Sequence, residues 1–353
     1  MRPCHLLVPG DWHAPTGGYR YDRRIAHGLV EAGWQMKMHA LDAHFPFPDA
    51  MALADAQESV TALPDGAVVV ADGLAFGAMP QIAQAHAQRL RWVVLVHHPL
   101  HLETGLADAD RQRLFDSERR ALATARRIVV TSAATAQALA AFDVPAPRVV
   151  VVEPGCDVVT PVEPDVHDGL NLLCVATLTL RKGHRLLLEA LAGLRDRVWT
   201  LHCVGSLSRD PHTVAQVRDD IHRLQLADRV HLHGEVDDVA LAQHYADADV
   251  FVLASHFEGY GMVFAEALAH GLPVLATRTG AAAQLVPPEA GVLVSPDDAA
   301  ALRHALAGVM DDPVRRARMA QSARAAAQHL PTWRDACRRF AAVLDAVAAQ
   351  SLR

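Results

Sequence analysis

The sequence predicts an α/β protein with two doubly wound parallel sheets. Twelve short apolar runs alternate with helix-length segments along its 353 residues. Short apolar runs are typical of parallel strands that are buried on both faces. Because twelve strands exceed one comfortable open sheet, and the chain exceeds one ordinary core, we expect two domains.

Each half of the chain contributes six expected strands. In the first half these are His5–Val8, Met36–Leu41, Ala67–Ala71, Trp92–Val96, Ile128–Thr131 and Val149–Val152, separated by helices that include Tyr19–Ala32, Phe76–Arg91 and Asp108–Arg126. In the second half the strands are Leu170–Val175, Trp199–Val204, Val230–His233, Val250–Leu253, Val274–Ala276 and Val292–Val294. The helices of that half are Arg185–Leu194, Val214–Leu226, Val239–Ala246, Val263–His270, Ala299–Met310 and Val314–His329.

The segment Pro154–Gly169 is rich in Pro, Gly and Asp, as an interdomain linker is. We therefore expect a first domain over residues 1–163 and a second over 164–331. A final amphipathic helix begins after Pro331, at Thr332.

Composition excludes several classes of protein. A net charge of −7 argues against nucleic acid as the main partner. No stretch resembles a transmembrane helix, and the short apolar start resembles a strand more than a signal peptide. Five scattered cysteines indicate buried free thiols in a reducing cytoplasm, and peripheral membrane contact stays open. His231 and His233 share a strand face, but no Cys, Asp or Glu ligand set accompanies them, so we expect no metal site.

The most informative stretch is Ser255–Thr277, which has the pattern strand end, glycine loop, helix, turn, strand. Glycines in the loop allow a sharp turn, and the helix that begins near Gly261 presents backbone N–H groups that bind phosphate. Glu258 and Glu266 bracket this helix start, and carboxylates accept hydrogen bonds from hydroxyls. Phosphate together with sugar hydroxyls suggests a sugar nucleotide.

The spacing of Glu258 and Glu266, with Glu-Gly-Tyr-Gly at its start, resembles the E-x7-E element of the family 4 glycosyltransferases. These are retaining enzymes with the GT-B fold, so the resemblance implies two Rossmann-like domains that face each other across a cleft. It also implies that the helix within 332–353 crosses back onto the first domain. In this reading Glu258 holds sugar hydroxyls, Glu266 holds ribose hydroxyls, and the phosphates meet the backbone of Gly259, Tyr260, Gly261, Met262 and Val263.

The donor implied by the resemblance is a nucleotide-diphosphate sugar, such as a UDP- or GDP-sugar, with no cofactor. Lys182-Gly183 resembles the family's Lys-Gly, whose lysine contacts the diphosphate. Five residues earlier the family usually has Arg where this chain has Thr177, and Arg181 is a candidate replacement. The loops that border the nucleotide correspond to Gly205 and to Gly234-Glu235-Val236. At residues 280–284 this chain has Gly-Ala-Ala-Ala-Gln where the family commonly has Gly-Gly-x-x-Glu.

Two first-domain loops carry the remaining candidates. Gly17 and Gly18 resemble the family's Gly-Gly loop near the donor phosphate and acceptor. Three histidines follow the strand Trp92–Val96, where the family places a functional His; we rank His97 first, then His98 and His101. A metal cluster, or a purely structural turn closed by Pro99, is the alternative reading of this histidine loop.

The expected reaction is metal-independent transfer of a sugar to an acceptor hydroxyl, with retention of the anomeric configuration. The acceptor would be a small molecule, a glycan or a lipid-linked acceptor. Lys182, Arg181 and the helix start would hold the leaving diphosphate, with Glu258 and His97 or His98 at the reacting sugar. Two alternatives remain: a GT-B sugar-nucleotide epimerase, and a non-catalytic protein that binds sugar nucleotides or glycans.

Overall fold

The computed structural model describes residues 2–159 and 169–351, which form two compact units. The first unit comprises Met1–Gly155 and Pro331–Arg353, and the second comprises Cys156–Leu330. The expected boundary between residues 163 and 164 lies outside the described residues. All five cysteines are free and four are buried, which confirms the expectation of free thiols.

Each unit contains one parallel sheet of six strands, which confirms the predicted fold class. The sheet of the first unit has the order β2-β1-β3-β4-β5-β6. Its strands are β1 (Arg2–Pro9), β2 (Trp34–Leu41), β3 (Val68–Asp72), β4 (Arg91–Val96), β5 (Arg127–Val130) and β6 (Val149–Val151). The sheet of the second unit has the order β12-β11-β10-β7-β8-β9. Its strands are β7 (Leu170–Val175), β8 (Trp199–Val204), β9 (Val230–Gly234), β10 (Val250–Leu253), β11 (Val274–Thr277) and β12 (Gly291–Val294).

Helices follow most strands and begin where capping residues satisfy their first N–H groups. Asp49, Asp210, Asp237, Asp298 and Asp312 act as such caps. The helices of the first unit are α1 (Gly17–Glu31), α2 (Ala50–Thr61), α3 (Gly73–Phe76), α4 (Pro80–Ala85), α5 (Asp108–Leu122), α6 (Ala133–Ala138) and, at the end of the chain, α14 (Trp333–Ala348). Those of the second unit are α7 (His184–Ala192), α8 (Pro211–Arg223), α9 (Asp238–Ala246), α10 (Met262–Ala269), α11 (Ala282–Leu285), α12 (Ala299–Met310) and α13 (Pro313–Ala327).

One expected helix is wrong. The segment Phe76–Arg91 is not a single helix, because α3 ends at Phe76 and α4 runs only from Pro80 to Ala85. Proline has no N–H for the preceding turn and therefore starts a helix more readily than it continues one. Arg91 then opens β4 rather than closing a helix. Helix α2 was not among the helices named from the sequence, although strand–helix alternation predicts a helix between β2 and β3.

Strand order locates where a ligand can bind in each unit. In open α/β sheets ligands bind beyond the carboxyl ends of the strands, at the point where the strand order reverses. In the first unit this switch lies between β1 and β3, and in the second it lies between β7 and β10. The loops that follow these four strands contain most of the residues singled out in the sequence.

The last helix, α14, packs along α1 and belongs to the first unit. Thr332 and Asp335 form a reciprocal capping box at its start. Its apolar face is buried, and Cys337 lies so close to Gly28 of α1 that a Cβ there would overlap the sulfur. No helix among residues 2–159 and 169–351 combines the length and apolar character needed to cross a bilayer.

We predict that a buried carboxyl on α5 makes stability pH-dependent. Glu118 is fully buried and accepts a hydrogen bond from the N–H of Leu100 at 2.9 Å. Burial raises its pKa to about 8, and the Leu100 N–H offsets this only in part. The folded state thus keeps a proton that the unfolded chain releases at lower pH, so stability falls as pH rises from about 5 to about 8. One pKa unit is worth about 1.4 kcal/mol, so the loss is at most about 4 kcal/mol.

Thermal unfolding of Glu118→Gln should show a weaker loss of stability over this range, since the amide keeps the acceptor without titrating. Glu58→Gln, at an exposed glutamate of α2, is the control. Identical pH profiles for Glu118→Gln and wild type would contradict the prediction.

Candidate active site

A buried ion pair joins the loops after β7 and β10 in the second unit. The Lys182 Nζ donates to Glu258 Oε1 at 2.7 Å, and Ser255 Oγ donates to the same oxygen at 2.6 Å. The guanidinium of Arg181 lies 3.9 Å from the other carboxylate oxygen and donates to the carbonyl of Phe257. The structure thus brings together Lys182, Arg181 and Glu258, which the sequence analysis assigned to the donor site.

Local backbone geometry explains why this pair forms. Lys182 ends a short 3₁₀ turn, Leu180–Lys182, and Gly183 then adopts a left-handed conformation with φ of 66°. A Cβ at Gly183 would lie 1.9 Å from the carbonyl oxygen of Ala254, which directly follows β10. Only glycine allows this approach. The turn after β7 therefore packs against the end of β10, and Lys182 reaches Glu258.

Both members of the pair, Lys182 and Glu258, are charged. Burial alone would raise the pKa of Glu258, but the charges of Lys182 and Arg181 and the hydrogen bonds from Lys182 and Ser255 lower it overall. Burial and the neighbouring Arg181 lower the pKa of Lys182, while Glu258 counteracts them. Two cations thus share one carboxylate, which leaves net positive charge at the switch point.

Helix α10 starts beside this charge. Its N-cap is Gly261, with φ of 78°, and no side chain caps the helix. A Cβ at this glycine would lie 2.6 Å from the ring of Phe264. The first turn of a helix carries N–H groups and the positive end of the helix dipole, both of which favour an anion. The partly exposed Met262 and Val263 form this first turn, while Tyr260 is buried in the preceding loop beside the partly exposed Gly259.

Glu266 lies one turn further along α10 and is partly exposed. The hydroxyl of Tyr245, on α9, donates to Glu266 Oε2 at 2.9 Å. The ring of Tyr245 is buried and stacks on His270 with a centroid separation of 4.7 Å. This packing fixes the carboxylate of Glu266 in one orientation, and a fixed carboxylate can accept bonds from neighbouring hydroxyls.

The loops after β8 and β9 lie side by side. The Gly205 N–H donates to the carbonyl of Gly234 at 2.9 Å, and Leu178 donates to the carbonyl of Ser206 at 3.0 Å. Glu235 is exposed and Val236 is partly exposed directly after β9. The candidates Gly205, Glu235 and Val236 therefore lie at the same sheet edge as Lys182. At residues 280–284, the exposed Gln284 stands where the family commonly has a glutamate.

In the first unit, the glycine loop, a histidine and two aspartates meet at the switch point. Gly17 and Gly18 open α1, and a Cβ at Gly18 would lie 3.4 Å from the His97 ring. His97 directly follows β4, and its Nε2 lies 2.9 Å from Asp22 Oδ1. Asp22 is one turn into α1, and its side chain is only 1% exposed, against 22% for His97.

The two aspartates set the protonation of His97. Burial alone would lower the pKa of His97, but the charge and hydrogen bond of Asp22, with the charge of Asp72, raise it overall. Asp72 ends β3 and caps α3. Burial and the charge of Asp22 raise the pKa of Asp72 to about 7. The site therefore favours a protonated imidazole held by Asp22.

The other histidines of this loop have different surroundings. His98 Nε2 lies 3.9 Å from Glu103 Oε2. The His101 ring packs edge-on against Phe115 and Phe142, and burial followed by the charge of Arg111 lowers its pKa. The ring of His97 is the nearest side chain to a Cβ placed on Gly18. His101 has the surroundings of a packing residue.

Three groups among the described residues place potential metal ligands within 4.8 Å of one another. They are Asp22, Asp72 and His97; Cys174, His184 and Cys203; and His202, His233 and His244. The first belongs to the site just described, and the second is fully buried. The third contains His233, for which the sequence had revealed no ligand set.

The sequence analysis missed four residues that shape these sites: Asp22, Asp72, Ser255 and Tyr245. Two of them had a readable signal, because Asp72 and Ser255 each directly follow a buried apolar run, where strand-end residues face a ligand. Asp22 and Tyr245 had none, since each lies inside a helix and meets its partner only through the fold.

Two family models match separate parts of the chain. The model described as "Glycosyltransferase Family 4" matches residues 66–159, and the model described as "Glycosyl transferases group 1" matches residues 162–326. The first match lies in the first unit except for its last four residues, 156–159, and the second match lies within the second unit.

Curated relatives of the chain are also glycosyltransferases. The D-inositol 3-phosphate glycosyltransferase of Xylanimonas cellulosilytica is 31% identical over 289 residues, covering 74% of this chain and 68% of the relative. The MMP alpha-(1->4)-mannosyltransferase of Mycolicibacterium hassiacum is 30% identical over 62% of this chain and 53% of its own length.

Solved structures share the fold over nearly the whole chain. Sucrose-phosphate synthase from Thermosynechococcus elongatus aligns with a TM-score of 0.84 at 22% identity, covering 99% of this chain and 100% of the other. HepE from Anabaena, in complex with UDP-glucose, aligns with a TM-score of 0.80 at 19% identity over 98% of this chain and 100% of the other. Together with the family models and the 31% identical relative, these findings show that the chain belongs to the family 4 glycosyltransferases.

Proposed function

We propose that this protein transfers a sugar from a nucleotide-diphosphate sugar to an acceptor hydroxyl, with retention of configuration and without a metal ion. The observation that carries the proposal is the buried Lys182–Glu258 pair, with Arg181 beside it, next to the uncapped start of α10. UDP- and GDP-sugars are the donor classes to consider, since HepE was solved with UDP-glucose and several relatives are named as mannosyltransferases.

The donor step needs a site for a leaving diphosphate. As the bond between the anomeric carbon and the diphosphate oxygen breaks, negative charge grows on that oxygen. Fixed positive groups stabilise such charge without reorganising, and this is often the largest catalytic contribution. Lys182, Arg181 and the first turn of α10 supply it. Glu258 keeps Lys182 in place and accepts hydrogen bonds from the sugar, while Glu266 meets the ribose.

The acceptor step forms a new bond from the acceptor oxygen to the same face of the anomeric carbon. The acceptor proton passes to the departing diphosphate oxygen, so atoms and charge balance without a carboxylate nucleophile. His97 donates a hydrogen bond to the transferred sugar or the acceptor. Asp22 favours the protonated, donating form of the ring, and Gly18 leaves room beside it.

Two other functions would use the same donor site. An epimerase would convert the sugar nucleotide without an acceptor. A protein that only binds sugar nucleotides would hold the donor without turnover, and the missing arginine at Thr177 is the observation in its favour. The position of Arg181 weighs against this alternative, because Arg181 brings a second cation to Glu258.

A donor panel tests the proposal directly. We expect one UDP- or GDP-sugar to be turned over in EDTA at an unreduced rate, with release of the nucleoside diphosphate and a product of the same anomeric configuration by NMR. The reason is that fixed cations take the role that a metal ion has in metal-dependent transferases. Loss of turnover in EDTA, restored by Mn²⁺ or Mg²⁺, would contradict metal independence. Conversion of the donor without any acceptor would favour the epimerase.

We predict that Lys182→Ala weakens donor binding more than Arg181→Ala does. Lys182 makes a 2.7 Å hydrogen bond in the pair, whereas the guanidinium of Arg181 lies 3.9 Å from the carboxylate. A charged hydrogen bond contributes about 1.5–3 kcal/mol, so affinity for the nucleoside diphosphate should fall at least tenfold. Calorimetry with UDP and GDP measures this.

Lys182→Ala also removes a partner from a buried carboxylate, which by itself is destabilising. The double variant Lys182→Ala/Glu258→Gln is therefore the matched control: weak binding in both variants assigns the loss to the diphosphate contact. A larger loss in Arg181→Ala would reverse the two roles.

We predict that His97→Ala lowers kcat on the order of a hundredfold with little change in donor affinity, because its interaction forms mainly in the transition state. Asp22→Asn should keep partial activity. Because Asp22 raises the pKa of His97, the variant should lose activity at a lower pH than wild type as the pH rises. Steady-state kinetics across pH measures both effects.

His98→Ala and His101→Ala are the controls. His101→Ala should lower the unfolding temperature, because its ring packs against Phe115 and Phe142, and should leave kcat near normal. A normal kcat in His97→Ala with a collapsed kcat in His98→Ala would transfer the role to His98.

A further inference from the structure

Four histidines gather on one face of the second unit's sheet, at its β8–β9 edge. His202 lies on β8, His231 and His233 lie on the edge strand β9, and His244 lies on α9. His202 pairs in register with His231. Ring centroids are 5.2 Å apart for His202 and His233, and 4.5 Å apart for His233 and His244. The proposed transfer reaction uses none of these side chains.

We propose that His202, His233 and His244 bind one borderline divalent transition-metal ion, such as Zn²⁺, Ni²⁺ or Cu²⁺. One nitrogen from each ring lies within 4.8 Å of the other two. His202 Nδ1 and His233 Nε2 are 3.0 Å apart. A tetrahedral ion with nitrogen ligands at 2.0–2.1 Å holds them about 3.3 Å apart, so small side-chain rotations complete the site.

The ligand type selects the metal class. Imidazole nitrogen suits Zn²⁺, Ni²⁺ and Cu²⁺, whereas Mg²⁺ and Ca²⁺ require oxygen ligands. A neutral imidazole binds a metal ion through the lone pair of one ring nitrogen.

The surroundings of the three histidines also suit a metal site. His202 and His244 are half-buried on regular elements, which limits their movement, while His233 is exposed and leaves an entry path. Three protein ligands leave a fourth position open to water.

Metal binding here would join β8, the edge strand β9 and α9. Edge strands have one unpaired side and are less restrained than central strands. An ion that binds the folded state and not the unfolded chain raises stability by mass action. The expected role is thus to stabilise this edge of the unit, separate from sugar transfer, which we expect to continue in EDTA.

The test uses the full chain without a histidine tag, stripped of metal and titrated with Zn²⁺ by calorimetry. We expect one ion per chain and a higher unfolding temperature on binding. His202→Ala and His244→Ala should each weaken binding at least tenfold, or about 1.4 kcal/mol. His304→Ala is the matched control, because His304 is exposed on α12, which packs on β11 and β12 at the opposite end of the sheet.

Two further measurements distinguish the histidine site from the buried cysteine cluster. Co²⁺ in place of Zn²⁺ should give the absorption of nitrogen ligands without thiolate charge transfer. Cys174→Ser should leave binding unchanged, because the buried cluster of Cys174, His184 and Cys203 is a separate group. Wild-type affinity in both His202→Ala and His244→Ala would overturn the proposal. Thiolate absorption that disappears in Cys174→Ser would assign the ion to the cysteine cluster and overturn it equally.

Discussion

The second unit depends on one buried ion pair, between Lys182 and Glu258. Removing a carboxylate from water costs several kcal/mol unless charges and hydrogen bonds replace the water. Glu258 is 5% exposed and receives hydrogen bonds from Lys182 and Ser255, with Arg181 nearby. The left-handed conformation of Gly183 makes this pair possible, because it lets the loop of the lysine pass against Ala254. A bound diphosphate would then meet cations that are already in place.

The first unit uses the same sheet geometry with the opposite charge. Its switch point gathers two buried aspartates around His97, where the second unit gathers two cations around one carboxylate. Burial, and then the like charge of Asp22, raise the pKa of Asp72, while Asp22 bonds the imidazole. In the proposed reaction, the second unit would meet the diphosphate and the first unit would meet the transferred sugar or the acceptor. This division of charge fits a transferase that separates a leaving group from an incoming hydroxyl.

Much of the fold could be predicted from the sequence. All twelve strands lie within three residues of the expected bounds, because runs such as Ala67–Ala71 are apolar on both faces and favour a buried strand. The helix expected over Phe76–Arg91 was wrong because Pro80 begins a new helix instead of continuing one from Phe76. Lys182, Glu258 and Glu266 were readable because the first two lie in loops that follow strands, and Glu266 lies at a fixed spacing from Glu258 in a recognisable motif. The metal-ligand geometry around His233 was not readable, since His202 and His244 come from other elements.

The sequence by itself determined the two parallel sheets, the glycine loops, and the residues that stand at the ends of the strands. These are local properties, set by the period of apolar residues and by the conformations open to glycine. Tertiary structure alone decided which of His97, His98 and His101 lies against Gly18 and meets Asp22. It also decided that the second cation beside Glu258 comes from Arg181 rather than from position 177. It decided as well that three histidines from separate elements converge. Such pairings depend on strand order and on the packing of loops from distant parts of the chain, and spacing along the sequence carries no record of them.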